Sequence, residues 1–369
     1  MHTKDDNTIR IYFQNIKGIK LTQSWDKWRD IVTEIKSRKV DIAGLVETNI
    51  NWNPIRELTA KSILRKVYWN GQMINASSDD PIPSAYKQGG SSMLVLNKPI
   101  GSIATTGIDH RGLGRWSYVI LNGRNNVNIV IITAYRVCQD TGTNGDLTAF
   151  QQQYRLLRRQ NIIHPHPKKV FDQDLIFQLK EWTNKKYEII LMIDANSSLT
   201  HPQLQNIINH SQLYDLLGAT HGIDSPNTYI RGNKTIDFLF GTKGVKHSMT
   251  QCGMLSFNDG VLSDHRALWM DLKHTNLIHS ELTSPNNKPT NMSSKNAHWV
   301  KRAKDVISKH IACHHVRANL NKLQNTPITS SNSHCLAKTL DKIDQDIHEA
   351  MLQGAKLANN TVLGGGHLH

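Results

Sequence analysis

At 369 residues with an apolar fraction of 38%, the chain has length for two or three domains and is too apolar for wholesale disorder. Forty-four Lys and Arg against thirty Asp and Glu leave a net charge of +14, which directs attention to polyanionic partners: DNA, RNA or an acidic membrane surface. No apolar run approaches the ~20 residues of a membrane span. The start Met1-His2-Thr3-Lys4-Asp5-Asp6 carries no apolar leader, and Cys138, Cys252, Cys313 and Cys335 form no CxxC pair, so a reducing, intracellular setting is expected and a disulfide framework is excluded. Residues 1–275 carry a net +9 and the remainder +5. An excess spread so evenly does not by itself single out nucleic acid.

Along the chain, Ile9–Phe13 reads as a strand, and Trp25, Trp28, Ile31, Val32 and Ile35 recur at helical spacing. Val40–Val46 is a second strand. Further strands are predicted at Ser92–Leu96, Trp116–Leu121, Val127–Ala134, Glu188–Ile193, Thr235–Phe240 and Ala267–Leu272, with helices around Phe150–Arg159 and Val170–Trp182. Gly, Asn and Pro punctuate the gaps. Many strands with interspersed helices and no internal repeat predict a layered α/β domain over residues 1–275. Asn276–Ala297 has the composition of a polar linker. Beyond it, in 298–369, Trp299, Val300, Ala303, Val306, Ile307 and Ile311, then Leu340, Ile343, Ile347 and Met351, predict two amphipathic helices.

Two apolar strands end in a carboxylate, Glu47 and Asp194. An acid at a strand tip is costly to desolvate unless a cation or hydrogen-bond donors meet it. A turn or N-cap role is the ordinary alternative for either acid taken alone. Their company carries more: Asp194-Ala195-Asn196, Thr235-Ile236-Asp237 before a strand, and Ser263-Asp264-His265 before another. Adjacent side chains in extended backbone point to opposite faces, so Asp264 and His265 have separate tasks. Asp264 suits a metal, while His265 takes a distant acid such as Asp237 as its partner. Carboxylates with an amide suit Mg²⁺ or Mn²⁺ better than Zn²⁺.

The ordered set Gln14-Asn15, Glu47, Tyr135, Asp194-x-Asn196, Asp237 and Ser263-Asp264-His265 resembles the endonuclease/exonuclease/phosphatase superfamily, over roughly Thr8 to Leu272. In character it is most similar to abasic-site endonucleases and to the endonuclease domains of non-LTR retrotransposons. The resemblance implies a four-layered α/β sandwich, two packed mixed sheets flanked by helices, here with a short helical C-terminal extension. It implies Glu47 as principal metal ligand with Asp264 and Asn15, Asn15 also facing the substrate. Asp194 would align the attacking water, and Asn196 would donate to the scissile phosphate. His265, oriented by Asp237, would donate as negative charge builds, and Tyr135 would lie against the same phosphate. The sequence departs from the family pattern in three places: Lys17 replaces an acid, Ile193 a Gly, and Cys138 an Asn after Tyr135. Arg136 between them is a candidate phosphate-binding residue.

Three functions follow from that resemblance. The first is a Mg²⁺- or Mn²⁺-dependent endonuclease that nicks DNA, with RNA as the other polynucleotide, encoded by a retrotransposon-like element beside a reverse transcriptase. Such a protein would be nuclear in a eukaryote, otherwise cytoplasmic, with no membrane partner. The second is a phosphatase or phosphodiesterase of the same fold acting on a phosphoinositide or small nucleotide. The third is a catalytically decayed nucleic-acid-binding module. Other features carry less. Cys313-His314-His315 and His334-Cys335 do not make a zinc pattern, Gly89-Gly90 reads as a tight turn rather than a phosphate loop, and Trp25 and Trp28 read as core.

Overall fold

The computed structural model describes residues 3–138, 145–222, 225–257, 259–274, 297–327 and 332–359. It divides into two compact units, Met1–Ser284 and Pro285–His369. In chain order the first unit runs β1 (Thr8–Asn15), α1 (Asp26–Ser37), β2 (Ile42–Val46), α2 (Pro54–Arg65), β3 (Gln72–Ala76), β4 (Ser91–Val95), β5 (Ile103–Ile108), β6 (Trp116–Leu121) and β7 (Ile129–Tyr135). It continues through α3 (Ala149–Arg159), α4 (Pro167–Asn184), β8 (Glu188–Asp194), α5 (Pro202–His210), β9 (Tyr214–Asp215), α6 (Leu216–His221), β10 (Asp237–Gly241), α7 (Lys243–Ser248), β11 (Met249–Met254) and β12 (Leu268–Lys273).

The strands form two six-stranded mixed sheets, ordered β11-β12-β1-β2-β4-β3 and β5-β6-β7-β8-β10-β9. Their inner faces pack on each other. Ile9, Ile11, Phe13, Ile42, Val46, Met93 and Val95 from one sheet meet Val119, Leu121, Ile129, Ile131, Ile190, Met192 and Leu239 from the other. The outer face of the first sheet, with Tyr12, Ala43, Leu45 and Leu94, is covered by Trp28, Ile31, Val32 and Ile35 of α1 and Ala60, Ile63 and Leu64 of α2. Phe171, Leu175, Leu179 and Trp182 of α4 and Leu204 and Ile207 of α5 cover the outer face of the second. Strands buried on both faces are why the sequence reads as unbroken apolar runs rather than as an alternation. The architecture is the four-layered α/β sandwich. The sheets approach so closely at Gly44 that a Cβ there would lie 2.4 Å from Thr133 Oγ1 and 2.7 Å from the Met192 methyl.

Several elements differ from the sequence expectation. The strand expected from Val127 starts at Ile129, because Arg124–Asn126 turn with Asn125 and Asn126 at positive φ. The edge strands β3, β5, β9 and β11 were not expected. β5 carries three exposed residues in a row and β9 is two residues long, so neither shows an apolar period. Helix α2 begins at Pro54 and is capped by Asn53, whose side chain accepts from the Arg56 amide at 2.9 Å. Those start signals are in the sequence, but the helix buries little. Trp25 and Trp28 are core residues, as expected. Gly89 and Gly90 both adopt positive φ just before β4, and the Asn49 side chain accepts from the Gly89 amide.

Among its described residues the second unit contains three helices, α8 (Ala297–Cys313), α9 (Val316–Gln324) and α10 (Ser333–Asn359), where the sequence leads one to expect two. On α10 the buried face is Ile343, Asp346 and Ala350, while Leu340 and Met351 are exposed. The Asp346 carboxylate lies 3.3 Å from His314 Nδ1, so the buried face includes a carboxylate as well as apolar residues. The expected linker Asn276–Ala297 lies, but for its last residue, outside the described residues.

Candidate active site

Strand direction explains where the chemistry collects. β1 and β2 run parallel, as do β7 and β8, and the residues at their C-terminal ends are Asn15, then Glu47 just past β2, Tyr135 and Asp194. β10 and β12 run antiparallel to them, so their N-terminal ends, Asp237 and the segment Ser263–His265, arrive at the same edge. The crevice outside the carboxyl ends of parallel strands is where α/β folds gather ligands. Pairing register does the rest: Tyr135 and Asp237 both lie opposite Asp194.

The result is a buried hydrogen-bond network. His265 Nδ1 bonds Asp237 Oδ2 at 2.9 Å. The Asn15 amide donates to Asp194 Oδ2 at 2.8 Å and lies 3.5 Å from His265 Nε2. Asp194, Asp237 and Asn15 are at most 1% exposed and His265 is 7% exposed. Burial alone would lower the His265 pKa. Asp237 beside it, with Asp194 and Glu47 behind, more than offsets this and lifts it to about 9, so the imidazolium donor form persists at neutral pH. Asp194 moves well above the usual carboxylate range, because it is buried and faces Asp237 and Glu47, a rise opposed by His265 and by the Asn15 amide. Tyr135 is held well above its ordinary pKa by burial and by the Glu47 carboxylate, which keeps its hydroxyl a donor.

Residues that sequence reasoning left without a role hold this network in place. Ser263 Oγ donates to the Asn15 carbonyl at 2.6 Å and accepts from the His265 amide at 3.2 Å. Gln14 Nε2 donates to the His265 carbonyl at 2.9 Å. The Thr228 hydroxyl accepts from the Asp237 amide at 3.1 Å, and the Tyr229 ring lies 5.0 Å from the His265 ring. Thr228 and Tyr229 stand in a loop without periodicity, so no sequence signal marks them. Lys17, Glu47 and Asn196 all adopt left-handed backbone, with φ of 51°, 51° and 46°. For Lys and Glu this conformation costs on the order of 1 kcal/mol or more, and such strain clusters at functional sites.

Two expected site residues have ion-pair partners that their motifs do not show. Arg136 is 4% exposed, and its guanidinium is held bidentately by Asp172 of α4 at 2.7 and 2.8 Å. It braces the strand end instead of presenting charge to a phosphate. Its carbonyl accepts from Asn196 Nδ2 at 2.8 Å, while the Cys138 thiol donates to Asn196 Oδ1 at 2.9 Å, so both ends of that amide are oriented by its neighbours. The Asp264 carboxylate, expected among metal ligands, pairs with Lys17 Nζ at 2.7 Å. Lys168, at the start of α4, lies in the electrostatic field of Asp194 and is a cation that no sequence motif marks. Beside Glu47, Tyr135 and Cys138 opens a cleft of about 420 Å³, walled also by Tyr86 and Phe150.

The donor set fits a hard divalent cation. Among the described residues, atoms of the Asp194, Asp237 and His265 side chains lie within 4.8 Å of one another, and with His265 protonated the carboxylates are the ligands that remain. Asp237 Oδ1 is buried without a hydrogen-bond partner, and the mutual approach of Asp194, Asp237 and Glu47 is the kind of carboxylate crowding that a cation relieves.

The chain is thus a two-sheet α/β sandwich with acids, an imidazole and an amide converging at one edge. The fold is that of the endonuclease/exonuclease/phosphatase superfamily. The chain is similar to the AP endonuclease LMAP from Leishmania major, with a TM-score of 0.54 at 13% identity, covering 73% of this chain and 88% of that one. It also matches an endonuclease/exonuclease/phosphatase family protein from Leptotrichia buccalis (TM-score 0.44, 13% identity, 72% and 99% covered). The human nocturnin catalytic domain matches with a TM-score of 0.48 at 16% identity, 72% and 94% covered. No protein-family profile and no curated protein matches the sequence. Among the described residues no helix is long and apolar enough to cross a membrane.

Proposed function

We propose that the chain is a divalent-metal-dependent endonuclease that nicks DNA, with Mg²⁺ or Mn²⁺ as its metal and a retrotransposon-like element as its source. The observation that carries the reading is the buried His265–Asp237 pair at 2.9 Å beside Asp194 and Asn15. A protonated imidazole and a carboxylate share one water-poor crevice, held by fixed partners. Asp194 aligns the attacking water and draws its proton. His265, kept cationic by Asp237, donates to a phosphate oxygen as negative charge accumulates, and the Tyr135 hydroxyl and Asn196 amide offer further donors. Preorganised donors aimed at developing charge are typically worth ~10²–10³ in rate each. Glu47, with Asp194 and the Asn15 amide oxygen, would hold the metal, which supplies Lewis-acid stabilisation of the phosphoryl oxygens.

Incubation with supercoiled plasmid, with and without Mg²⁺, tests the reading. Nicking that EDTA abolishes supports it. Phosphate release from phosphoinositides or small nucleotides without nicking assigns the site to the other branch of the same fold, and silence on both substrates overturns the proposal.

A further inference from the structure

Lys17 holds a position that the buried network does not require. Three backbone hydrogen bonds join its segment to the one carrying Glu47: Ile16 N to the Val46 carbonyl at 3.1 Å, Gly18 N to the Glu47 carbonyl at 2.7 Å, and Ile19 N to the Thr48 carbonyl at 2.9 Å. Its own amide donates to Asn15 Oδ1 at 3.0 Å. Lys17 is therefore fixed beside both Glu47 and Asn15. Its side chain is 55% exposed, that of Asp264 15%, and the two meet at 2.7 Å. Lys27 donates to the Ile16 carbonyl and lies in the field of Asp264, Lys17 and Lys20. Lys17 thus pairs with Asp264 at the rim of the crevice, with the Lys27 ammonium in the field of the same carboxylate.

Resting on the metal-dependent reading above, we infer that Lys17 sets the metal affinity of the free site. Its ammonium engages Asp264 and leaves Glu47 and Asp194 as the charged ligands of the divalent ion. A cation entering beside a fixed ammonium is repelled, and Asp264 is not free to attract it. A substrate phosphate reverses both conditions by bringing negative charge to the ion and a new partner to Lys17. Metal and phosphate then strengthen each other's binding, a coupling that is reciprocal by thermodynamic necessity.

Calorimetric titration of the whole protein with Mn²⁺ alone, in the absence of substrate, separates the outcomes. Lys17→Asn, a residue at home in left-handed backbone, should bind Mn²⁺ about tenfold more tightly than the native chain, a factor set by removing one nearby positive charge. Lys17→Glu should bind more tightly still, and Glu47→Gln more weakly than the native chain. Circular dichroism and melting temperature identify any variant that has lost its fold, and the two Lys17 variants serve as checks on each other. Unchanged or weaker Mn²⁺ affinity in both folded Lys17 variants, with binding lost in Glu47→Gln, would overturn the role of Lys17 and leave the metal reading intact. Native-like affinity in Glu47→Gln would overturn the metal reading, and the inference with it.

Discussion

Asp194 and Asp264 both stand at strand ends on the same edge of the sandwich, yet their surroundings are opposite. Asp194 is fully buried, receives the Asn15 amide and faces Asp237 and Glu47. Asp264 keeps some contact with solvent and pairs with the half-exposed Lys17. On the buried side the side chains of Asn15, Asp194, Asp237 and His265 each have an orienting partner, because an unpaired charge there is expensive. Of their carboxylate oxygens, Asp237 Oδ1 alone is without one among the described residues. On the rim, water shares the cost and the ion pair can be exchanged for another partner. The groups proposed to handle the water and the proton thus have fixed geometry, while the contact open to exchange is the Lys17–Asp264 pair at the rim.

The contrast can be broken most severely at the brace. Arg136→Met leaves Asp172 buried without its partner and should destabilise the first unit by about 3–5 kcal/mol, read by chemical denaturation. Lys17→Gln, which breaks the rim pair, should cost at most ~1 kcal/mol in the same assay. Equal losses would erase the distinction.

Next in size is the catalytic effect. Asp194→Asn or His265→Ala should lower plasmid nicking by at least ~10²-fold with little loss of DNA binding, since affinity rests on Lys and Arg contacts to phosphate. Retained turnover in Asp194→Asn at equal metal occupancy would remove its assignment to the water.

pH sharpens the buried side. The His265 pKa is raised from 6.5 to about 9, so the protonated form and the stability it contributes are complete below about 6.5 and are lost as pH rises through about 9. Nicking should fall along the same alkaline limb. Asp237→Asn should move that limb toward neutrality, and an unmoved limb would show that another group titrates.

The smallest effect is expected from removing the second unit. Every residue assigned to chemistry lies between Asn15 and His265. A chain ending at Thr275 should therefore fold and nick at close to the full rate, with somewhat weaker DNA binding from the net +5 it sheds. Aggregation or a melting point several degrees lower would defeat the division at that residue.

The sequence by itself determined the core strands and the order of the chemical residues. β1, β2, β4, β6, β7, β8, β10 and β12 are apolar because both their faces are buried, and Glu47, Asp194, Asp237 and His265 interrupt or flank those runs with charge that demands a reason. It also carried the α1 stripe, since Trp28, Ile31, Val32 and Ile35 face a single sheet. What the tertiary structure decided was partnership. Arg136 could read as a phosphate ligand until α4 brought Asp172 to it, 36 residues away along the chain. Asp264 reads as a metal ligand from its motif, and only the pairing of the segments after β1 and β2 sets Lys17 against it. The edge strands and the loop carrying Thr228 and Tyr229 left no period to find, because their residues are fixed by hydrogen bonds and ring contacts rather than by burial of a continuous face. Apolar periodicity records which side of an element is dry; which charge meets which is settled only when distant strand ends arrive at one edge.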